Sequence, residues 1–170
     1  MSLTYQNQLD SRLAVRTLEV WKNIKASGFP NRSQIDPKAF GADWPNCAMI
    51  VLGATIPKSR FTYVGSELGN FLSVPYKRKI FSTLRDEPLV ALLSPQIQQV
   101  IAEKGPLKFA GSLRNRGREI LFRMVLMPLS ERRTKIDGIL VGMSYRKVSL
   151  QKNFSGEGRS AGYRQVEARP

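Results

Sequence analysis

The chain has 170 residues, no histidine and a single cysteine, and its 27 Lys and Arg against 13 Asp and Glu give a formal net charge of +14. That length supports one ordinary domain that buries about two-thirds of its unfolded surface. Without histidine there is no His-ligated haem, no histidine-containing zinc site, and no serine–histidine or cysteine–histidine nucleophile pair; one cysteine allows neither an intrachain disulfide nor a cysteine metal cage.

A composition of 42% apolar and 24% charged residues is that of a globular protein. The longest apolar run, Cys47 to Leu52, is far short of the roughly 20 residues of a membrane span. The N-terminus lacks the layout of a secretion signal. These features predict a soluble, cytoplasmic protein. The positive charge favours acidic partners.

Three parts follow one another, without an internal repeat: an arm over 1–45, a core over 46–147 and a flexible basic tail over 148–170. The core holds 17 basic and 7 acidic residues, so it carries +10 of the +14. The arm opens with a helix over 9–24. Leu9, Leu13, Val20 and Ile24, with Ala14 and Trp21 beside them, recur along one stripe. Asp10 or Ser11 is placed to cap it, and Ser27-Gly28 before Pro30 to end it. A lone helix of this length is marginal in water, so the stripe must pack on the core, a second copy or a partner. Prolines and Gly41 make 29–45 a loop with at most one helical turn, at Pro37–Phe40.

The core reads as two strands, helices, then three strands. The apolar stretch 46–54 is bounded by prolines, and 60–65 carries aromatics at alternate positions. One or two helical turns fit 66–72. Two helices fit 87–93 and 94–104, the second with Ser94 as N-cap, Pro95 at its first position, and Gly105-Pro106 as its stop. Strands over 107–114, 118–129 and 137–147 form two hairpins, with turns at Asn115-Arg116-Gly117 and over 130–135. The segment 120–129 is apolar on both faces apart from Arg123, which predicts cover on both sides of the sheet.

This element order is that of a PAS domain. Trp21, Ile35-Asp36-Pro37, Arg60-Phe61-Thr62-Tyr63-Val64-Gly65-Ser66, Gly105-Pro106, Met127-Pro128-Leu129 and Gly142, in that order and spacing, resemble a family of bacterial, mainly alphaproteobacterial, PAS-like domains formerly catalogued as a domain of unknown function. The resemblance covers about residues 18–147. It departs from the family over 74–93, where Tyr76-Lys77-Arg78-Lys79 is unusually basic. It implies an α+β fold: a five-stranded antiparallel sheet with helices on one face, strands 1 and 5 side by side, and an N-terminal helix. It also implies a sensory or regulatory role, with no family-wide catalytic residues.

Asn46-Cys47 evokes the reactive cysteine of flavin photosensors, but Cys47 opens the first strand rather than a helix after the second, and reads as a core side chain. Phe61, Tyr63, Phe71 and Phe122 are the candidates for lining a cofactor cavity, with core packing as the default; no cofactor is predicted. Isolated carboxylates such as Glu67, Glu119 and Asp137 show no paired spacing for acid–base work. Arg114, Arg116 and Arg118 crowd one hairpin tip, and Arg132, Arg133 and Lys135 the next; these are candidate contacts for an anion or acidic partner. Successive turns of a meander lie at opposite ends of the sheet, so the two tips form no single groove.

These readings converge on a non-catalytic PAS-like module that binds another protein through the outer sheet face and the first helix (Leu13, Val20, Trp21, Ile24), as a homodimer, with room for a small ligand. The alternative is a basic nucleic-acid- or nucleotide-binding regulator.

Overall fold

The structure, a computed structural model, describes residues 3–24 and 27–148, with side chains along the first helix from Arg12 onward. The expected tail lies almost entirely outside the described residues. Helix α1 spans Leu3–Asn23. It starts six residues ahead of the expected position because neither proline nor glycine precedes Gly28 in the sequence. Asp10 and Ser11, expected as caps, therefore lie inside the helix. The following loop contains the short helix α2 (Pro37–Phe40), where Asp36 accepts a hydrogen bond from the Lys38 N–H at 3.0 Å and proline occupies the first turn.

Five antiparallel strands make one sheet: β1 (Cys47–Val51), β2 (Arg60–Val64), β3 (Leu107–Asn115), β4 (Arg118–Leu129) and β5 (Gly138–Lys147). Their order is β2-β1-β5-β4-β3, with β1 and β5 adjacent as expected. Between β2 and β3 lie the one-turn helix α3 (Ser66–Gly69) and the long helix α4 (Pro88–Glu103). The first strand is shorter than the stretch 46–54 that sequence predicts. Its apolar run continues to Leu52, whose N–H bonds the Asp137 carbonyl, before the chain turns at Gly53.

The two predicted helices over 87–104 are one. Leu89, Val90, Leu93, Ile97 and Val100 form a buried row that runs unbroken past Pro95. Burial of that row against the sheet outweighs the missing amide of a proline whose ring sits on the exposed side. Ser94 is accordingly no N-cap: its hydroxyl donates back to the Val90 carbonyl at 2.8 Å. The helix ends at Lys104, which itself takes the left-handed conformation (φ 53°), rather than at Gly105.

Both faces of the sheet are covered. The inner face, toward α3 and α4, packs Ile50, Phe61, Met124, Leu126, Ile139 and Val141 against Leu68, Phe71, Phe81 and the α4 row. The outer face packs Cys47, Val125, Met127, Leu129 and Leu140 against Ala14, Ile35 and Phe40. The helices other than α1 and α2 thus sit on one face, and the N-terminal arm closes the other. Helix α1 crosses β4 and β5 closely. A Cβ on Gly142 would come within 2.8 Å of the Thr17 hydroxyl oxygen, so only glycine leaves room for the helix at that depth. The Trp21 indole N–H donates to the Pro128 carbonyl at 3.0 Å and fixes the helix's far end.

Candidate functional site

The four aromatics proposed as cavity lining do not share a face. Ile50 lies opposite Phe61 and Met49 opposite Tyr63, so Thr62 is an extra residue in β2. This bulge turns Tyr63 outward, where it stacks on Trp44 at 4.5 Å and its hydroxyl donates to the Trp44 carbonyl at 3.3 Å. Phe61, Phe71 and Phe122 remain inside and fill the inner core. Phe61 packs on Phe81 at 5.0 Å, and Phe71 meets Tyr145 edge to face at 4.6 Å. Cys47 is fully buried on β1, and its thiol donates to the Asp43 carbonyl at 3.4 Å. Burial first, and the Asp43 charge second, push that thiol up to about 12. It is a protonated core side chain, as expected. Among the described residues no group of three acidic or cysteine side chains is arranged to hold a metal, and no helix is long and apolar enough to cross a membrane.

The stripe on α1 is used within the chain. Leu13 is buried, and Val20, Trp21 and Ile24 are half-buried against the outer face. The opposite row, with Arg12, Val15, Arg16, Glu19 and Lys22, faces solvent. Arg16 makes a two-pronged pair with Asp43 at 2.6 and 2.7 Å.

The two basic tips lie at opposite ends of β4. Eleven residue steps of about 3.3 Å separate them by roughly 36 Å. At the tip over 130–137, much of the polar chemistry is spent on holding the arm. Arg133 donates to the Ser27 hydroxyl at 2.9 Å, Glu131 accepts from Arg32 at 2.8 Å and Asn31 at 3.0 Å, and the Ser130 N–H bonds the Pro30 carbonyl. The Arg32 and Asn31 hydrogen bonds hold the Glu131 carboxyl below its ordinary range. Lys135 instead lines a cleft of about 750 Å³ between the β1–β2 loop and Pro95, Gln98 and Ile101 of α4.

The tip at Arg116-Gly117 is different. Both residues have positive φ, 50° and 76°, which makes a two-residue hairpin turn suited to the twist of the strands. Arg118 lies opposite Asn115, facing inward, while Arg114 lies opposite Glu119 on the outer face. Three arginines that are neighbours in sequence are thus divided. Arg116 and Arg118 line a cleft of about 470 Å³ together with Asn115, Asn70 and Lys147, over a floor of Phe71, Ile120 and Tyr145. Asn70 donates through its amide to the Tyr145 hydroxyl at 3.3 Å, and that hydroxyl donates to a Glu67 carboxylate oxygen at 3.3 Å. Among the described residues, none of the three cations has a carboxylate within ion-pair distance. A more open cleft of about 500 Å³ lies beside Arg60, Lys77 and Arg78 on β2 and the loop after α3.

Sequence reasoning missed Asn70, Asn115, Tyr145 and Lys147. The last two follow Met143 at alternate positions of β5, so their shared face was readable from the strand period. Asn70 carries no such signal, because it arrives from a loop that only the fold brings to the hairpin.

The sequence profile of the PAS domain family matches residues 10–144, and the chain belongs to that family. No curated protein sequence matches the chain.

Proposed function

We propose that this PAS domain is a non-catalytic sensory or regulatory module of the cytoplasm that acts through protein–protein contact as a homodimer, along the outward row of α1, since the stripe of Leu13, Val20, Trp21 and Ile24 and the outer sheet face expected to meet a partner are packed on each other. PAS domains are in general sensory modules, and the family match supports that much directly. The observation that carries the contact reading is Val15. It is 42% exposed in the middle of the outward, otherwise charged row of α1, with half-buried Leu18 one turn away. A second copy laid along this row would cover both side chains without lifting α1 from its own sheet.

The test is the mass in solution by light scattering, alongside the melting temperature. The expected result is a dimer that Val15→Glu converts to a monomer with an unchanged melting temperature. A wild-type monomer at every concentration overturns the homodimer reading, and a Val15→Glu dimer overturns the placing of its contact on α1.

The alternative, a nucleic-acid-binding regulator, draws on the same positive charge. Against it stands the separation of the two tips, which offers no continuous track for a strand. Titration of labelled oligonucleotides at about 50 and 200 mM salt separates the two readings, because phosphate contacts weaken steeply over that range. Submicromolar binding that survives the higher salt favours nucleic acid.

A further inference from the structure

The cleft at the end of the β3–β4 hairpin has features that neither core packing nor the contact function explains. Arg116, Arg118 and Lys147 converge on it from a turn, the start of β4 and the end of β5. Like charges brought together disfavour one another, and among the described residues no carboxylate within ion-pair distance relieves them. Arg116 also takes a left-handed backbone conformation (φ 50°) at a turn position where asparagine or glycine is preferred. Neutral donors accompany the cations: the side-chain amides of Asn115 and Asn70 line the same space. Tyr145 is held beneath them by its edge-to-face contact with Phe71 and its hydrogen bond from Asn70. At about 470 Å³, the space is within the range of small-molecule sites. It lies outside the packed interior that Phe61 and Phe122 fill.

We propose that this cleft is a binding site for a soluble, phosphate-bearing small molecule, its phosphate groups held by Arg116, Arg118 and Lys147. Phosphate fits better than a single carboxylate for two reasons. One phosphate carries about −1.5 to −2 at neutral pH and two carry more, which balances three cations where one carboxylate does not. A phosphate also presents several acceptor oxygens, which match the forked donors of two arginines. The Glu67 carboxylate accepts a hydrogen bond from Tyr145 on the floor of the cleft, so an anion that spreads from the cations toward Tyr145 meets a like charge. A ligand here would tie the hairpin tip to the loop after α3. The inference is independent of the homodimer proposed above, since the cleft and the outward row of α1 involve different residues.

The experiment is a titration of the full chain with inorganic pyrophosphate, followed by backbone amide NMR shifts and calorimetry. Citrate at matched ionic strength and a short single-stranded oligonucleotide serve as comparators. The expected result is saturable pyrophosphate binding, with shifts concentrated at residues 70–71, 115–118 and 145–147 and little change at 130–135. Arg118→Ala and Lys147→Gln should each weaken it roughly tenfold, the scale of a lost charge-assisted hydrogen bond. Arg116→Asn is the control for folding. It places a turn-favouring residue at the left-handed position, so the melting temperature should hold or rise while affinity falls. Arg132→Ala should change nothing. The proposal is overturned if pyrophosphate fails to saturate, if citrate binds as tightly, if the variants bind like wild type, or if the oligonucleotide binds more tightly and shifts both tips.

Discussion

Replacing Gly142 by alanine should lift α1 from the sheet. An alanine Cβ would sit 2.8 Å from the Thr17 hydroxyl oxygen and 3.3 Å from both its Cβ and its methyl carbon. Rotating the threonine does not fully relieve this, because its Cβ stays 3.3 Å away whatever the rotamer. The Thr17 hydroxyl is also committed to the Leu13 carbonyl at 2.8 Å. The helix must therefore rise by about 0.5 Å, a gap that forfeits a quarter to a half of each dispersion contact it opens. Those contacts are the ones that join Ala14 to the outer core of Val125, Met127 and Leu140, and the Trp21–Pro128 hydrogen bond lengthens with them. Overpacking of this kind costs about 1–3 kcal/mol, and removing glycine from a strand interior returns about 0.5–1 kcal/mol. The net loss of about 0.5–2 kcal/mol corresponds to a melting point lower by about 1–8 °C for a chain of this size. The assay is thermal unfolding followed by circular dichroism, in the wild-type background and with Thr17→Ala, which removes the two side-chain atoms nearest the new methyl other than the threonine Cβ. The penalty should shrink in the second background, giving a coupling of about 0.5 kcal/mol or more. A Gly142→Ala protein that melts at or above the wild-type temperature, or an equal penalty in both backgrounds, refutes the close-approach argument.

Two further outcomes follow from burial. The Cys47 thiol should resist alkylation in the native protein at pH 8 and react only on unfolding, which mass spectrometry after iodoacetamide treatment checks. Its folded pKa of about 12 lies above the ordinary value of 9.0, so its contribution to stability is complete below pH 9 and is lost as pH rises toward 12. The slope reaches about 1.4 kcal/mol per pH unit, and Cys47→Ala should flatten that part of the alkaline stability curve. Leu13→Glu should destabilise by about 3 kcal/mol or more, because it removes a buried apolar side chain and buries a carboxylate in its place, whereas Ile24→Glu, at a half-buried position, should cost less. Urea unfolding at neutral pH distinguishes the two, and equal effects would mean that α1 is not seated as described.

Much of this protein is written in local patterns. Alternation over 118–129 with apolar residues on both faces specifies a strand covered on both sides, and Met127, Leu126 and their neighbours divide between the two cores accordingly. Turn chemistry at Arg116-Gly117 and the spacing of apolar residues along α1 are equally local, so hairpin and helix were both legible, while the neighbouring of β1 and β5 came from the resemblance to PAS domains. What required the tertiary structure were decisions made by packing between distant segments. Pro95 does not break α4, because the buried row from Leu89 to Val100 is stabilised by a sheet that the helix sequence does not contain. Tyr63 faces away from Phe61 because β1 pairs with β2 across a bulge, and one extra residue reverses a side chain's face. Arg133 and Glu131 hold the arm because a loop a hundred residues earlier supplies Ser27, Asn31 and Arg32. The cleft has the same origin: Arg116 and Arg118 are visible as a charged tip in the sequence, but Asn70 and Lys147 reach them only through the crossing of the helical segment and the pairing of β4 with β5. Periodicity reports which face a residue occupies within its own element, and long-range pairing alone decides what stands opposite that face.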